Sequence, residues 1–97
     1  MKVINFKLVN GDEIIARLRE NHADHYVVDS PRALQFQDRG NGQFGAQFVP
    51  ALVLGVDTGI KVYKNSISLY TENVGAEYEK HYLSSVSGIQ LATSLKG

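Results

Sequence analysis

The sequence predicts a mostly-β domain: a strongly bent five-stranded antiparallel sheet followed by one C-terminal helix. Apolar and polar residues alternate along most of residues 3–71, which is typical of half-buried strands. The dipeptide Asn10-Gly11 separates the first two alternating runs and favours a tight hairpin. After Asn73 the apolar residues recur about every four positions, which indicates a helix.

The first two alternating runs, residues 3–9 and 13–20, form the predicted hairpin. Gly11 is expected at positive φ, in a type I′ turn. Arg17 and Arg19 lie on the outward face with Lys7. This basic stripe fits a solvated surface and a surface that contacts a nucleic-acid backbone equally well. The apolar positions that form the inward face are Ile4, Phe6, Leu8, Ile14, Ala16 and Leu18.

A third strand begins at His25, after a polar turn at residues 21–24. Leu34 and Phe36 continue the alternation of Tyr26, and Pro31 interrupts the run between them. Proline cannot donate to a strand ladder and marks a bulge or a bend. The pattern therefore predicts one long strand, bent near Pro31 and followed by a loop at residues 38–42.

The second half of the chain predicts further strands and the helix. Residues 44–54 are apolar on both faces, which is typical of a sandwiched strand or a subunit interface. Residues 60–63 and 66–71 are predicted as short strands around Lys64-Asn65. The helix is expected over about residues 74–87, with Asn73 as its cap and Gly88 as its end. Its apolar residues Tyr78, Tyr82, Leu83 and Val86 are expected to pack against the sheet.

The composition limits the possible classes of protein. The chain of 97 residues, 43% of them hydrophobic, suits a single domain spanning 1–97. It has no cysteine, which excludes disulfides and thiolate metal sites. Ten basic residues balance ten acidic ones, so any nucleic-acid surface must be a local patch. Met1 leads directly into a strand pattern, and no apolar run approaches the roughly 20 residues of a membrane span. We therefore expect a cytoplasmic protein without membrane contact.

Three segments resemble the Sm and Sm-like (LSm) family. Residues 6–18 resemble the paired strands around a glycine turn that open the family's first motif, and residues 24–28 resemble its third strand. Residues 63–70 resemble the second motif, although Lys64-Asn65 stands where the family has Arg-Gly. No helix precedes the first strand, as one usually does in that family, and a helix follows the last strand instead. The arrangement is similar to small Sm-like proteins of tailed phages.

The resemblance implies an SH3-like open barrel and a non-enzymatic function in RNA or DNA processing. It implies single-stranded RNA, or DNA, as the ligand, and a homo-oligomeric ring of about five to seven copies as the assembly. It implies no cofactor, and for a phage protein the cytoplasm of a bacterial host. The alternative is an SH3-like protein–protein interaction module or phage assembly adaptor.

The resemblance also implies which residues bind nucleic acid. Rings would stack on bases, and cationic or polar groups would follow the backbone and read base edges. Tyr26 fits the core equally well, Asp24 fits a turn-closing role, and Lys64 fits a solvated loop. The expected set is His22, Asp24, His25 and Tyr26 from the turn before the third strand, and Tyr63, Lys64 and Asn65 from the last hairpin.

Catalytic and metal chemistry find little support in the sequence. His22, Asp24 and His25 share one turn, whereas a zinc site needs three or four ligands on a rigid frame. The serines lack a nucleophile-elbow context, and the glycines at 40, 42 and 45 lack the Lys-Ser/Thr of a phosphate loop. We therefore expect neither a metal site nor an enzyme.

Overall fold

The computed structural model describes residues 1–94, with side chains described for residues 1–38, 40–43 and 45–87. Within this range six strands precede one helix, α1, and the predicted mostly-β fold with a C-terminal helix is confirmed. The elements are β1 (Lys2–Leu8), β2 (Glu13–Asn21), β3 (His25–Gly40), β4 (Gln43–Pro50), β5 (Ile60–Tyr63), a 3-10 turn (Lys64–Ser66), β6 (Ile67–Thr71) and α1 (Ala76–Ser94).

The strands form one antiparallel sheet in the order β4-β3-β2-β1-β6. On its edge opposite β2, β3 pairs with β4 along residues 32–40 and with β5 along residues 25–28. β4 and β5 therefore occupy one strand position in two pieces, which leaves the five positions expected from the sequence. Within residues 1–94 no pairing joins β4 or β5 to β6, so the bent sheet is an open barrel.

β3 is one long strand with a bulge at Ser30-Pro31, as Pro31 predicted. Its register with β2 shifts between the pairs Arg17↔Asp29 and Ile15↔Arg32, so two residues of β3 face one residue of β2. Ser30 has a φ of 51°, in the left-handed region that residues other than glycine rarely adopt. Such a bulge sharpens the local twist and bends the strand.

Polar contacts hold the irregular segment 51–59 against this bulge. The Ser30 amide donates to the Asp57 carbonyl at 2.7 Å, and the Ala51 amide donates to the Pro31 carbonyl at 3.1 Å. The guanidinium of Arg32, only 7% exposed, donates to both carboxylate oxygens of Asp57 at 3.0 and 2.9 Å. Both ends of the segment are therefore fixed to the middle of β3.

The two arginines of the predicted basic stripe, both on β2, bond to residues of the neighbouring strand β3. Arg19 donates through two nitrogens to Asp29, which is 1% exposed, and the Gly59 amide donates to the same carboxylate at 2.9 Å. The hydrogen bond from Arg19 lowers the pKa of Asp29 below its ordinary value. Arg17 donates to the Ser30 hydroxyl at 2.9 Å. Both arginines are thus held by residues of β3, while the Arg19 side chain stays 45% exposed, so both interpretations of the stripe stay open.

Each face of the sheet has its own core. The inner face buries Ile4, Phe6, Ile14, Ala16 and Val28. The outer face buries Val3 and Ile15 beneath Tyr82 of α1, which is fully buried. The Tyr82 hydroxyl donates to the Ser30 carbonyl at 2.7 Å, so the helix is anchored at the bend of β3.

The prediction of a fourth strand over residues 44–54 is wrong at its C-terminal end. β4 ends at Pro50, which has no amide hydrogen to continue a ladder, and residues 51–59 are irregular. The segment leaves Leu52 49%, Val53 85%, Leu54 97% and Val56 79% exposed. Apolar composition alone could not distinguish this protruding segment from a buried strand.

The helix prediction is right in kind and wrong in its limits. α1 begins at Ala76 without an Asn73 cap, and it continues through Gly88 to Ser94. A glycine inside a helix costs only about 1 kcal/mol and does not by itself end it. Tyr82 and Val86 face the sheet, but Tyr78 is 64% exposed and Leu83 37% exposed, because they lie beyond the contact stripe. Among the described residues no helix is long and apolar enough to cross a membrane.

The first hairpin confirms positive φ at Gly11, 98°, but not the type I′ turn, since Asn10 is not at positive φ. The Gly11 amide donates to the Leu8 carbonyl at 2.9 Å, which closes the turn. Gly11→Ala is expected to lower the free energy of unfolding by about 1 kcal/mol, because an L-residue resists this conformation. Denaturant unfolding measures the loss.

Gly55→Ala is the matched control for that substitution. Gly55 has no positive φ, and a new Cβ would lie 3.4 Å from Leu52 Cδ1, an ordinary contact. We expect a change within about 0.5 kcal/mol. Equal losses from the two substitutions would contradict the strained conformation at Gly11.

Two neighbouring positions test which face of α1 is buried. Tyr82→Phe is expected to cost about 1–3 kcal/mol, because the buried Ser30 carbonyl loses its donor. Leu83→Ala, at the exposed neighbour, should cost less than about 1 kcal/mol. Thermal unfolding of both variants decides the point, and a larger loss for Leu83→Ala would show that the helix packs differently.

Candidate nucleic-acid interface

The sheet brings together two chain segments that are remote in sequence. β5 pairs antiparallel with the start of β3, which places His25 opposite Tyr63. The Lys64 amide donates to the Asp24 carbonyl at 2.9 Å, and the His22 amide donates to the His25 carbonyl at 2.8 Å. The turn between β2 and β3 therefore adjoins the 3-10 turn after β5, and all seven predicted residues lie in these segments.

Three aromatic rings lie in a row on this face, which we call the ring face: two of them stack, and the third is tilted against them. The rings of His22 and His25 stack with centroids 4.6 Å apart and an angle of 21° between planes. The Tyr63 ring lies 5.7 Å from that of His25, tilted by 48°. His25 is the half-buried centre of the stack, and the side chain of His22 is 47% exposed. The outer rings of His22 and Tyr63 are therefore open to a planar ligand.

A carboxylate holds each histidine of the ring face. His22 Nε2 donates to Glu20 Oε1 and His25 Nδ1 donates to Asp24 Oδ1, both at 2.6 Å. The hydrogen bond from His25 lowers the pKa of Asp24. The Asp24 side chain thus orients the neighbouring imidazole, and its backbone carbonyl binds the amide of Lys64 in the 3-10 turn; the predicted turn-closing bond is made instead by the His22 amide and the His25 carbonyl.

Tyr26 was predicted to stack on a base, but neighbouring side chains already contact its ring. Its ring stacks on that of Tyr70, with centroids 4.9 Å apart and planes within 5°. Lys64 Nζ lies 4.6 Å from the centroid of the same ring, and Tyr26 also packs against the inner core. A base could reach the Tyr26 ring only by displacing Lys64 or Tyr70.

The 3-10 turn supplies the polar groups beside the rings. Lys64 Nζ donates to Asn21 Oδ1 at 2.7 Å, which holds the ammonium group over Tyr26. Ser66 Oγ donates to the Tyr63 carbonyl at 2.6 Å and closes the turn. Asn65 is exposed at its tip. The turn therefore holds one cation over the Tyr26 ring and presents one exposed amide.

Sequence reasoning missed four residues that surround the predicted ones. Glu20 could have been found, because a spacing of two along a strand puts it on the same side as His22. Lys61 could have been found in the same way, since it alternates outward with Tyr63 on β5. Asn21 and Tyr70 could not, because their roles depend on contacts with Lys64 and Tyr26 across the sheet.

The ring face offers stacking surfaces, ammonium groups and hydrogen-bonding groups. These are the features that proteins use to hold single-stranded nucleic acids, whose bases present planar faces and whose backbone is anionic. Within the described residues, no group of three or more His, Cys, Asp or Glu side chains could hold a metal ion.

Comparison with known proteins leaves the family open. The sequence matches no model of a known protein family. It also matches no curated protein sequence at a significant level.

Tyr26 and His22 should respond differently to truncation. Tyr26→Ala is expected to lower the free energy of unfolding by about 2–4 kcal/mol, because the Tyr26 ring packs on both Tyr70 and the inner core. His22→Ala should change it by less than about 1 kcal/mol, since that ring is largely exposed. Denaturant unfolding checks both, and a neutral Tyr26→Ala would show that Tyr26 is not part of the packed structure.

Proposed function

We propose that this chain is a non-enzymatic protein that binds single-stranded RNA, or DNA, through the ring face. One observation carries the proposal: the rings of His22 and His25 stack, the Tyr63 ring lies tilted beside them, and both His22 and Tyr63 are about half exposed. An exposed ring at the end of a stack can accept an unpaired base of any sequence, because every base has a π-face. Lys61, which alternates outward with Tyr63 on β5, and Lys64, in the turn that follows, could follow the backbone.

The bent open sheet supports the resemblance to Sm-like proteins and therefore the same function. The bulged β3 and the hairpin at Gly11 correspond to the segments on which that resemblance rests. We accordingly propose a role in RNA or DNA processing, and, from the similarity to small proteins of tailed phages, a site of action in the cytoplasm of a bacterial host.

We further propose that identical copies assemble into a ring of about five to seven subunits. β4 and β6 form the two ends of the described sheet and leave strand edges that another copy could pair with. Leu69 on β6 is 65% exposed, and Leu54, beyond the end of β4, is 97% exposed. A formal net charge of zero removes long-range repulsion between copies.

Binding to labelled single strands tests the proposal. Lys64→Ala should weaken binding to all sequences alike and flatten the dependence of log Kd on log salt by about 0.7 for the lost phosphate contact. His25→Ala should cost about 1–3 kcal/mol of binding for a stacked base, because it removes the centre of the stack. Fluorescence anisotropy at several salt concentrations measures both.

Lys80→Ala is the control, since this lysine lies exposed on α1, outside the ring face. It should leave Kd and the salt slope unchanged. If the wild-type protein binds neither single-stranded RNA nor DNA at low salt, the nucleic-acid proposal is wrong.

The assembly can be tested by its mass. Sedimentation and native mass spectrometry at micromolar concentration should give a closed oligomer of about five to seven copies. Leu54→Asp should weaken it, because a buried carboxylate would oppose association. Val9→Asp, at a turn position that is 70% exposed, is the matched control. A clean monomer at micromolar concentration would exclude the ring.

A protein–protein adaptor is the second candidate function, and a specific observation favours it. Leu52, Val53, Leu54 and Val56 protrude from a segment that is fixed at both ends. A groove of about 330 Å³ lies between β3–β4 and the start of α1, with Phe36 and Tyr78 at its rim. Contiguous exposed apolar surface often marks an interaction site. Absence of oligonucleotide binding, together with binding of a host protein that Leu54→Asp abolishes, would favour this candidate.

A further inference from the structure

The segment after β4 forms an apolar protrusion, which we define as residues 51–56. None of these six residues is charged. Hydrogen bonds to the bulge of β3 hold the segment at both ends, while Leu52, Val53, Leu54 and Val56 are between 49% and 97% exposed. A surface that is already held in place loses little conformational freedom when it binds, so the protrusion is preorganised for contact.

The same chain carries an apolar groove of about 330 Å³, which we call the outer groove, between β3–β4 and the start of α1. Phe48 lines its floor, and Phe36 and Tyr78 at its rim are 70% and 64% exposed. The Glu13 carboxylate accepts a hydrogen bond from Asn5 Nδ2 at 3.2 Å, and it is the one charged group among the described residues that line the groove. An apolar side chain that enters the groove therefore displaces no ion pair.

The protrusion leaves the outer groove of its own chain open. Leu54 is 97% exposed, and residues 52–56 are absent from the described lining of that groove. Protein pockets of about 300 Å³ and above hold small organic ligands, so the groove has room for the side chains at the tip of a protrusion. Both surfaces are therefore available to another molecule.

Every copy of the chain carries both surfaces, and their sizes fit one interface. Monomeric proteins rarely expose contiguous apolar patches of more than a few hundred Å². A specific interface buries roughly 1,000 Å² or more, counted over both partners. The protrusion of one copy and the outer groove of another provide two patches of the first size, which together approach the second. The formal net charge of zero adds no long-range repulsion between copies.

We propose that the protrusion of one copy seats in the outer groove of a second copy. The inference rests on the assembly proposed above and names the contact that holds it. The tip residues Val53 and Leu54 lie between the rim rings of Phe36 and Tyr78, which removes all four side chains from water. Because the two surfaces differ, the contact is head-to-tail, and such contacts form a ring when the rotation between copies closes.

A charge at the rim of the groove tests the contact from the side opposite Leu54. Phe36→Asp should raise the Kd of self-association at least about tenfold, because a carboxylate would be buried against the apolar tip. Gln37→Asp is the matched control: Gln37 is exposed, follows directly on β3 and projects to the other face of the sheet. Sedimentation measures both. Circular dichroism verifies the fold, which both variants should keep because both side chains are largely exposed.

Cross-linking identifies which surfaces meet. The chain has no cysteine, so introduced thiols are the only ones present. Leu54→Cys is mixed with Ala46→Cys, an exposed position that lines the outer groove, and treated with a short bis-maleimide. The mixture should give at least about tenfold more covalent dimer than either variant alone, because a seated contact raises the effective concentration of the two thiols. Gln47→Cys, exposed on the other face of β4, replaces Ala46→Cys as the control and should give no such excess.

The outcomes separate this contact from the proposed function. An oligomer that withstands Phe36→Asp, or cross-links equally well through Gln47→Cys, would overturn the contact and leave a ring held by strand edges standing. A two-fold dimer with the expected cross-link would overturn the ring of five to seven copies and support the contact. Absence of oligonucleotide binding would overturn the function of the ring face alone, since none of these substitutions lies there. A wild-type monomer at micromolar concentration would overturn the contact and the ring together and would leave both surfaces to an adaptor function.

Discussion

The bulge at Ser30-Pro31 is the constraint on which the rest of the structure depends. At this point β3 changes direction, and its outer edge passes from β5 to β4. Both backbone groups of Ser30 form hydrogen bonds with residues that are remote in sequence. Its amide donates to the Asp57 carbonyl, and its carbonyl accepts from the Tyr82 hydroxyl. One local irregularity therefore fixes the segment between β4 and β5 and also the helix on the outer face.

The charged groups around the bulge fix the path of the segment 51–59 that lies against it. Asp29 and Arg32 are almost fully buried, and removing a charge from water is costly unless it is paired with good geometry. Asp29 receives Arg19 and the Gly59 amide, and Arg32 donates to both oxygens of Asp57. An alternative path for segment 51–59 would leave the buried Arg32 without Asp57 and would remove the Gly59 amide from Asp29. The network therefore selects one arrangement, and the selected path delivers Ile60 to the position where β5 begins.

Local signals predicted the parts of the fold that are determined locally. The Asn-Gly dipeptide located the first hairpin, and Pro31 located the bend, because backbone limits at glycine and proline act within a few residues. Pro50 carried the same kind of signal, but the apolar run after it outweighed the missing amide in the prediction of a longer strand. The limits of α1 were missed because a glycine weakens a helix without ending it. The contacts of Arg17 and Arg19 depend on partners on the neighbouring strand, which alternation alone cannot identify.

The candidate site shows the same division between local and remote information. The resemblance pointed to two segments, and the structure places His25 of one against Tyr63 of the other and Lys64 against Asp24. The resemblance could not show that Tyr70 and Lys64 cover the ring of Tyr26, because the position of Tyr70 depends on the pairing of β6 with β1.

Under the proposed function, a chain with no net charge would hold a polyanion, and the position of the rings bears on how. The Gly59 amide is bonded to Asp29 immediately before β5 begins, so the Tyr63–His25–His22 stack depends on the network around the bulge. Rigid rings lose little conformational freedom when a base stacks on them, which lets stacking carry affinity that charge does not supply. In the proposed assembly, each subunit would contribute a weak contact. Repetition of that contact in a closed assembly raises the effective concentration of every further site once one base is bound. Weak individual sites and tight overall binding are therefore compatible, provided that copies of the chain present their ring faces to the same strand.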